Sequence, residues 1–326
     1  MSPEILLRVA AVVVPAGLGA LLLDVLCAAR GLLPPGFRVP WRRALAGLTV
    51  ALLLAIAVFA PLGSLGMKAN PEDLSSISTP QLFLLHVLMA ITMGVWFLLG
   101  FAGEEARPPL PAEPPPLPEP VLAEMPVSFE ETATVTSLEP AAVPPPPPPR
   151  LSLGRQLAAQ FGYLAPSIPR EIGLGVLLGI GAWVAVILAL MVVAGMAYAL
   201  GGENAIPKSP PALIPLIAGL PVWVRFLVSL SAGVVEESFF RGFLQPRVGI
   251  LASTGFFVLA HLSYGQPFML VGIALLSLIY AFLVKWRQNV WPAMAAHALF
   301  DGVQLLVVVP AALRMLGAEK GAAFLW

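Results

Sequence analysis

Apolar residues in this chain come in long unbroken runs rather than in alternation, and short polar or proline-bearing stretches separate them. Runs at residues 5–28, 44–65, 81–102 and 172–200 come first, followed by runs at 221–243, 250–262, 268–284 and 290–309. Hydrocarbon about 30 Å thick takes roughly 20 apolar residues per helical crossing, so most of these runs are long enough to span a bilayer. A membrane barrel would need segments of about ten residues that alternate in polarity, which is not the pattern here. Backbone polar groups in lipid must be paired within their own element, so continuous apolar runs predict helices. The expected fold is therefore all-α, a polytopic transmembrane helical bundle of about eight helices. The run at 250–262 is short and needs help from its neighbours. Residues 213–220, interrupted by Pro215 and closed by Pro221, predict a separate re-entrant or interfacial piece.

Composition fits a chain whose solvent is lipid: 58% of residues are hydrophobic, 11% are charged, and mean hydropathy is +0.89. Eighteen basic residues balance 18 acidic ones, which argues against nucleic acid as a partner. The single cysteine, Cys27, lies inside an apolar run and is expected to be a small core residue, since alone it makes no intramolecular disulfide or thiolate cluster. The first run follows Met1, Ser2, Pro3 and Glu4, without a basic cluster before it or a small-residue cleavage site after it, and is expected to be a retained span.

Lysine and arginine are enriched in cytoplasmic loops, which orients the bundle. Arg30, Arg38, Arg42 and Arg43 place the first break inside, and Lys68 beside Glu72 and Asp73 places the second outside. Alternation then puts Arg107, Arg150, Arg155 and Arg170 inside, Lys208 with Glu203 outside, and Arg241, Arg247, Lys285 and Arg287 inside, with both termini outside. Between Pro108 and Pro149 the composition shifts to proline, alanine and glutamate, ending in an unbroken run of prolines from Pro144 to Pro149. Such a segment buries little apolar surface and predicts an extended, disordered cytoplasmic spacer. Residues 151–169 mix apolar positions with Arg155, Gln156 and Gln160 and read as a lead-in to the next span. The chain thus divides into an N-terminal three-helix membrane unit (1–102), a proline-rich acidic linker (103–150) and a C-terminal five-helix unit (151–326), all chemistry being expected in the last.

Charged side chains at helix centres in lipid cost roughly 2.5–3.5 kcal/mol each, so they call for a purpose. Glu236, Glu237 and Arg241 stand close together in the run from Pro221. Residues four apart share a helix face, so Glu237 and Arg241 are expected to pair, while Glu236 points elsewhere and is left free to accept a proton. The chain has three histidines, and two follow these carboxylates on later helices. His261 shares a face with Phe257, and His297 shares one with Asp301. His86, in the N-terminal unit with no acidic residue nearby in sequence, is expected to be a structural residue.

At these residues the chain resembles the CAAX protease and bacteriocin-processing family of intramembrane glutamic endopeptidases, the prenyl-protein endopeptidase type. Three motifs carry the resemblance: Glu-Glu-x-x-x-Arg at Glu236, Glu237 and Arg241, Phe-x-x-x-His at Phe257 and His261, and His-x-x-x-Asn or Asp at His297 and Asp301. It covers residues 213–309. The resemblance implies peptide hydrolysis without a cofactor or metal, in which Glu236 and His261 activate a water while His297 and the residue at Asp301 stabilise the oxyanion. Glu237, Arg241 and Phe257 would support them. Asparagine in the last position could donate a hydrogen bond, whereas an ionised Asp301 only accepts, so Asp301 either stays protonated or orients and charges His297.

The leading expectation is an endopeptidase of a bacterial cytoplasmic membrane, acting on a membrane-associated peptide or protein that enters from the bilayer or the cytoplasmic side. A prenylated carboxyl-terminal motif, a leader peptide and a signalling peptide all fit such a site. Three other readings use the same residues: a metal-dependent membrane protease with Glu, His and Asp as ligands, a non-catalytic immunity or chaperone-like protein that keeps the site, and a proton-coupled transporter. Gly175 and Gly179 form a small-xxx-small pair suited to helix packing.

Overall fold

A computed structural model describes residues 2–63, 78–103, 152–205, 213–262 and 267–315. The proline-rich linker, residues 68–73 and Lys208 lie outside these. Ten helices make up the described chain: α1 (Pro3–Ala29), α2 (Pro40–Phe59), α3 (Thr79–Phe101), α4 (Leu153–Gln160), α5 (Ile168–Gly201), α6 (Leu213–Ala218), α7 (residues 222–248), α8 (Ile250–Ala260), α9 (Pro267–Arg287) and α10 (Trp291–Met315). Helices α1, α2, α3, α5, α9 and α10 are long and apolar enough to cross a membrane, which makes this a multi-pass membrane protein. Leucines such as Leu7, Leu18, Leu48 and Leu177 stand exposed along these spans, as lipid-facing side chains do.

The remaining two expected crossings are present in altered form. Helix α7 has the length of a span but carries Arg225, Glu236, Glu237, Arg241 and Arg247. Helix α8 has 11 residues, a rise of about 16 Å and so half a bilayer. Residues 213–218 form a short helix that packs against the C-terminal part of α10.

Loops expected on one side of the membrane do meet at one end of the bundle. Arg30 donates to the backbone oxygens of Pro246 and Arg247, and Arg42 donates to Ala102 O. Arg247 donates to Gln160 Oε1, and Arg287 forms a two-pronged pair with Glu171. Gly249, with φ of +91° in a region that side chains disfavour, makes the turn at this end between α7 and α8.

One apolar core joins the two halves of the chain. Leu53, Leu54, Met89, Trp96 and Phe97 from α2 and α3 pack with Phe239, Phe240, Phe243 and Phe257 from α7 and α8. Trp96 sets its ring edge-on to Phe37 and Phe243, at centroid distances of 4.7 and 5.1 Å. The sequence divides at the linker, but the packing does not.

A second core holds α5 against α9 and α10 through Val186, Tyr280, Leu283 and Ala296. Gly175 and Gly179 do form its close seam. A Cβ at Gly175 would lie 2.7 Å from Pro292 Cα, and one at Gly179 would lie 2.9 Å from Ala296 Cα. Gly175→Ala should therefore lower stability by about 1–3 kcal/mol through overpacking. Gly181→Ala, where nothing stands within 4 Å, should be neutral or mildly stabilising. Unfolding of both variants in the same detergent, read by near-UV circular dichroism, checks the contrast.

Candidate functional site

Helix α7 changes its winding where its charges lie. Residues Ala232–Glu236 and Ser238–Leu244 take wide π-helical turns. Side chains add donors to the carbonyls here. Ser238 Oγ donates to Val234 O at 2.6 Å, Ser253 Oγ of α8 donates to Phe240 O at 2.6 Å, and Arg247 donates to Phe243 O. Gly233 lets α10 approach this segment: a Cβ there would stand 2.7 Å from both Ala298 Cβ and Met294 O. That contact brings His297 up to the glutamates.

The expected pairing of Glu237 with Arg241 is present. Arg241 Nη1 lies 3.0 Å from Glu237 Oε1, as an ion pair rather than an aligned hydrogen bond, and both residues are essentially inaccessible to solvent. His297 Nδ1 donates to the same oxygen at 2.7 Å, and its Nε2 lies 3.5 Å from Asp301 Oδ2. Each ring nitrogen of His297 thus faces a carboxylate, and a ring that donates from both is an imidazolium. Tyr280 stacks on this ring at 5.3 Å and fixes its plane, a contact that no motif announces. The Arg241 guanidinium lies 4.3 Å from the centre of the Phe257 ring.

Phe257 also packs on His261, with ring centroids 4.5 Å apart. His261 Nδ1 is 2.7 Å from Phe257 O. A carbonyl only accepts, so Nδ1 carries a proton, which leaves Nε2 as the nitrogen that can hold a lone pair. Glu236 lies within electrostatic reach of both His261 and His297. The structure therefore brings Glu236, Glu237, Arg241, Phe257, His261, His297 and Asp301 into one cluster.

Depth is resolved by two helix lengths. From sequence, Glu236 lies near the inner end of its span and His261 near the outer end of the next, a mismatch. Helix α7 continues to Val248, which puts Glu236 about 18 Å from its end. His261 caps the 11-residue α8, about 16 Å from the same end. Both stand near mid-bundle.

Two expectations about the N-terminal unit and Glu236 are overturned. Glu236 is not free: its Oε1 accepts from His86 Nε2 at 3.2 Å. His86 is not remote from the chemistry, and the polar set is not confined to the C-terminal unit. The missed signal was helical periodicity. His86 lies on the same face of α3 as the buried Met89, Met93, Trp96 and Phe97, so it points into the bundle. Glu236 Oε2 is buried with no hydrogen-bond partner among the described residues.

A cavity of about 1080 Å³ opens at the arginine-rich end and touches this cluster through Arg241, with Gln245, Arg247, Lys285 and the start of α8 also lining it. No group of three or more His, Cys, Asp or Glu side chains among the described residues is arranged to hold a metal ion.

Spanning helices that enclose carboxylates and imidazoles define a polytopic membrane protein with a buried carboxylate and imidazole cluster inside its bundle. Residues 218–303 match the family described as type II CAAX prenyl endopeptidase, Rce1-like, and this segment carries a domain of that family. The matched stretch includes the whole cluster except His86. An uncharacterized protein, YpbD of Bacillus subtilis (strain 168), is 30% identical over 81 residues, which cover 24% of this chain and 42% of that protein. No solved structure matches.

Burial of Glu237 predicts a sharp stability asymmetry. Arg241→Met leaves Glu237 with His297 as its cationic neighbour among the described residues and should cost about 3–5 kcal/mol, whereas Glu236→Gln, which keeps shape and hydrogen bonding, should unfold near the native midpoint. Denaturant melts of the two variants in one detergent measure the difference.

Proposed function

We propose that this chain is an intramembrane endopeptidase that hydrolyses a peptide bond through a water activated by Glu236 and His261. The observation that carries this reading is the unpartnered Glu236 Oε2, buried beside two imidazoles within a segment that matches a peptidase family. The reaction follows from ordinary acid and base chemistry. Glu236 Oε2 takes a proton from water while His261 Nε2 accepts its other O–H, and the oxygen attacks the scissile carbonyl carbon. Negative charge then moves to the carbonyl oxygen, where the positive charge of the doubly protonated His297 ring stabilises it. Collapse breaks the C–N bond, and Glu236 returns its proton to the departing amine.

Asp301 acts here as the group that orients and charges His297, since its Oδ2 faces His297 Nε2. Glu237 performs the same service at Nδ1, with Arg241 neutralising the excess charge. We assign the protease-like domain to residues 151–326, and place the protein in a bacterial cytoplasmic membrane with its arginine-rich end and its proline-rich linker inside. The substrate is a peptide or protein held in or against the bilayer.

Membrane peptides and new protein termini compared between cells carrying the native chain, Glu236→Gln and Gly181→Ala at matched expression test the proposal. Cleavage products should be present with the native chain and Gly181→Ala and should fall by about 100-fold or more with Glu236→Gln. Equal profiles in all three, while a phenotype still depends on the protein, would favour a non-catalytic role. Loss of cleavage on treating purified protein with a zinc chelator would instead favour the metal-dependent reading.

A second outcome separates the two roles open to Asp301. Asp301→Asn, which keeps hydrogen bonding but removes the charge, should lower cleavage by about tenfold or more because Asp301 charges His297, whereas cleavage kept within about tenfold would make the position a protonated donor to the oxyanion. Asp301→Leu should lose cleavage in both cases. Rates of the two variants on one cleaved substrate decide this.

A further inference from the structure

Nothing in the three motifs accounts for His86, yet its Nε2 donates a hydrogen bond to the Glu236 carboxylate. The bond joins residues 150 positions apart, from the N-terminal and C-terminal units. We propose that His86 is a positioning residue for Glu236, and that the N-terminal unit thereby completes the site; this rests on the hydrolytic reading above.

The argument starts from the freedom of a glutamate side chain. Its last torsion is broad and nearly two-fold, so an unanchored carboxylate presents either oxygen in many orientations. His86 Nε2 must be the donor, because a carboxylate oxygen only accepts. This bond occupies Oε1 and leaves Oε2, buried and unpartnered, as the oxygen that faces the reacting water. One donor on one oxygen both fixes the torsion and selects the reactive atom.

Surrounding structure holds the donor in place. The His86 side chain is 11% exposed, and α3 packs along the wide turns of α7 through Met89, Met93 and Trp96. Trp96, ten residues further along α3, locks the same pair of helices through Phe243, and the Arg247 guanidinium lies 5.5 Å from the centre of its ring. A shift of α3 would move His86 and Trp96 together. The other His86 nitrogen, Nδ1, is buried without a partner among the described residues, so none of these supplies a second bond that would compete for the ring's orientation.

Two measurements on the full-length chain in lipid nanodiscs test the assignment. The chain has three histidines, so histidine-selective ¹⁵N labelling resolves every imidazole. The His86 ring should carry its proton on Nε2, and its signals should move more than those of His297 on Glu236→Gln. For catalysis, the probe is a fluorogenic peptide ending in a farnesylated cysteine and three further residues. His86→Ala should lower kcat by roughly 10- to 100-fold, the loss of one hydrogen bond to a charged group, with KM nearly unchanged. His86→Gln, whose amide can donate to the same oxygen, should recover most of kcat, which a merely structural role would not require. Native kcat in His86→Ala, failure of His86→Gln to rescue, or a His86 spectrum indifferent to Glu236→Gln would each overturn the proposal. If the native chain cuts no such peptide, the hydrolytic reading fails for prenylated substrates, and the spectra still decide whether His86 is bound to Glu236.

Discussion

A carboxylate that is fully buried inside a lipid-embedded bundle must be compensated, and Glu237 is the group on which the rest of this arrangement hangs. Its charge is met by Arg241 one turn along the same helix and by His297 from another. Removing a charge from water costs several kcal/mol per ion even after relaxation, so an unpaired Glu237 would be intolerable there. The compensation has structural consequences. It ties α7 to α10, aims the His297 ring, and requires a backbone approach close enough for a 2.7 Å bond, which Gly233 permits. The neighbouring Glu236 is then released from any duty toward Arg241.

Two adjacent glutamates thus acquire opposite characters from one helix. Glu237 points to the cations and is an element of the scaffold, whereas Glu236 points toward α3 and keeps one oxygen without a partner. Wide turns on either side of this pair reshape the helix at the point where its side chains must diverge. Beside these turns the carbonyls of Val234, Phe240 and Phe243 also accept from side chains, and those of Val234 and Phe240 keep backbone donors, so the distortion leaves no bare polar groups there. The half-length α8 serves the same end by delivering His261 to mid-bundle, where a full crossing would have carried it past.

Much of this is readable from the sequence because membrane helices follow simple rules. Unbroken apolar runs located the helices, arginines sorted their ends, and four-residue spacing paired Glu237 with Arg241, Phe257 with His261 and His297 with Asp301. Gly175 and Gly179 were legible as a helix-packing pair, though not that α10 is the helix they meet. What escaped were facts that arise between helices. Periodicity does not foretell the π-helical turns of α7 or its continuation to Val248. Nor does local sequence connect His86 to Glu236, because that bond exists only after α3 docks on α7. Tyr280, an apolar-looking position on α9, becomes part of the cluster for the same reason.

The proline-rich linker interrupts the sequence at a place the core does not recognise. Helices before it and after it share the aromatic packing of Phe37, Trp96, Phe243 and Phe257, and that packing sets the register between α3 and α7. A hydrogen bond of 3.2 Å tolerates little displacement, so the register must hold to a fraction of an ångström for His86 to reach Glu236. Rings packed edge to face provide that restraint, because their contacts fall away steeply with sliding. The family match begins at residue 218 and so excludes α3 altogether. The part of the chain that matches the peptidase family thus carries the motifs, and the part outside it supplies the His86 hydrogen bond to one of their carboxylates.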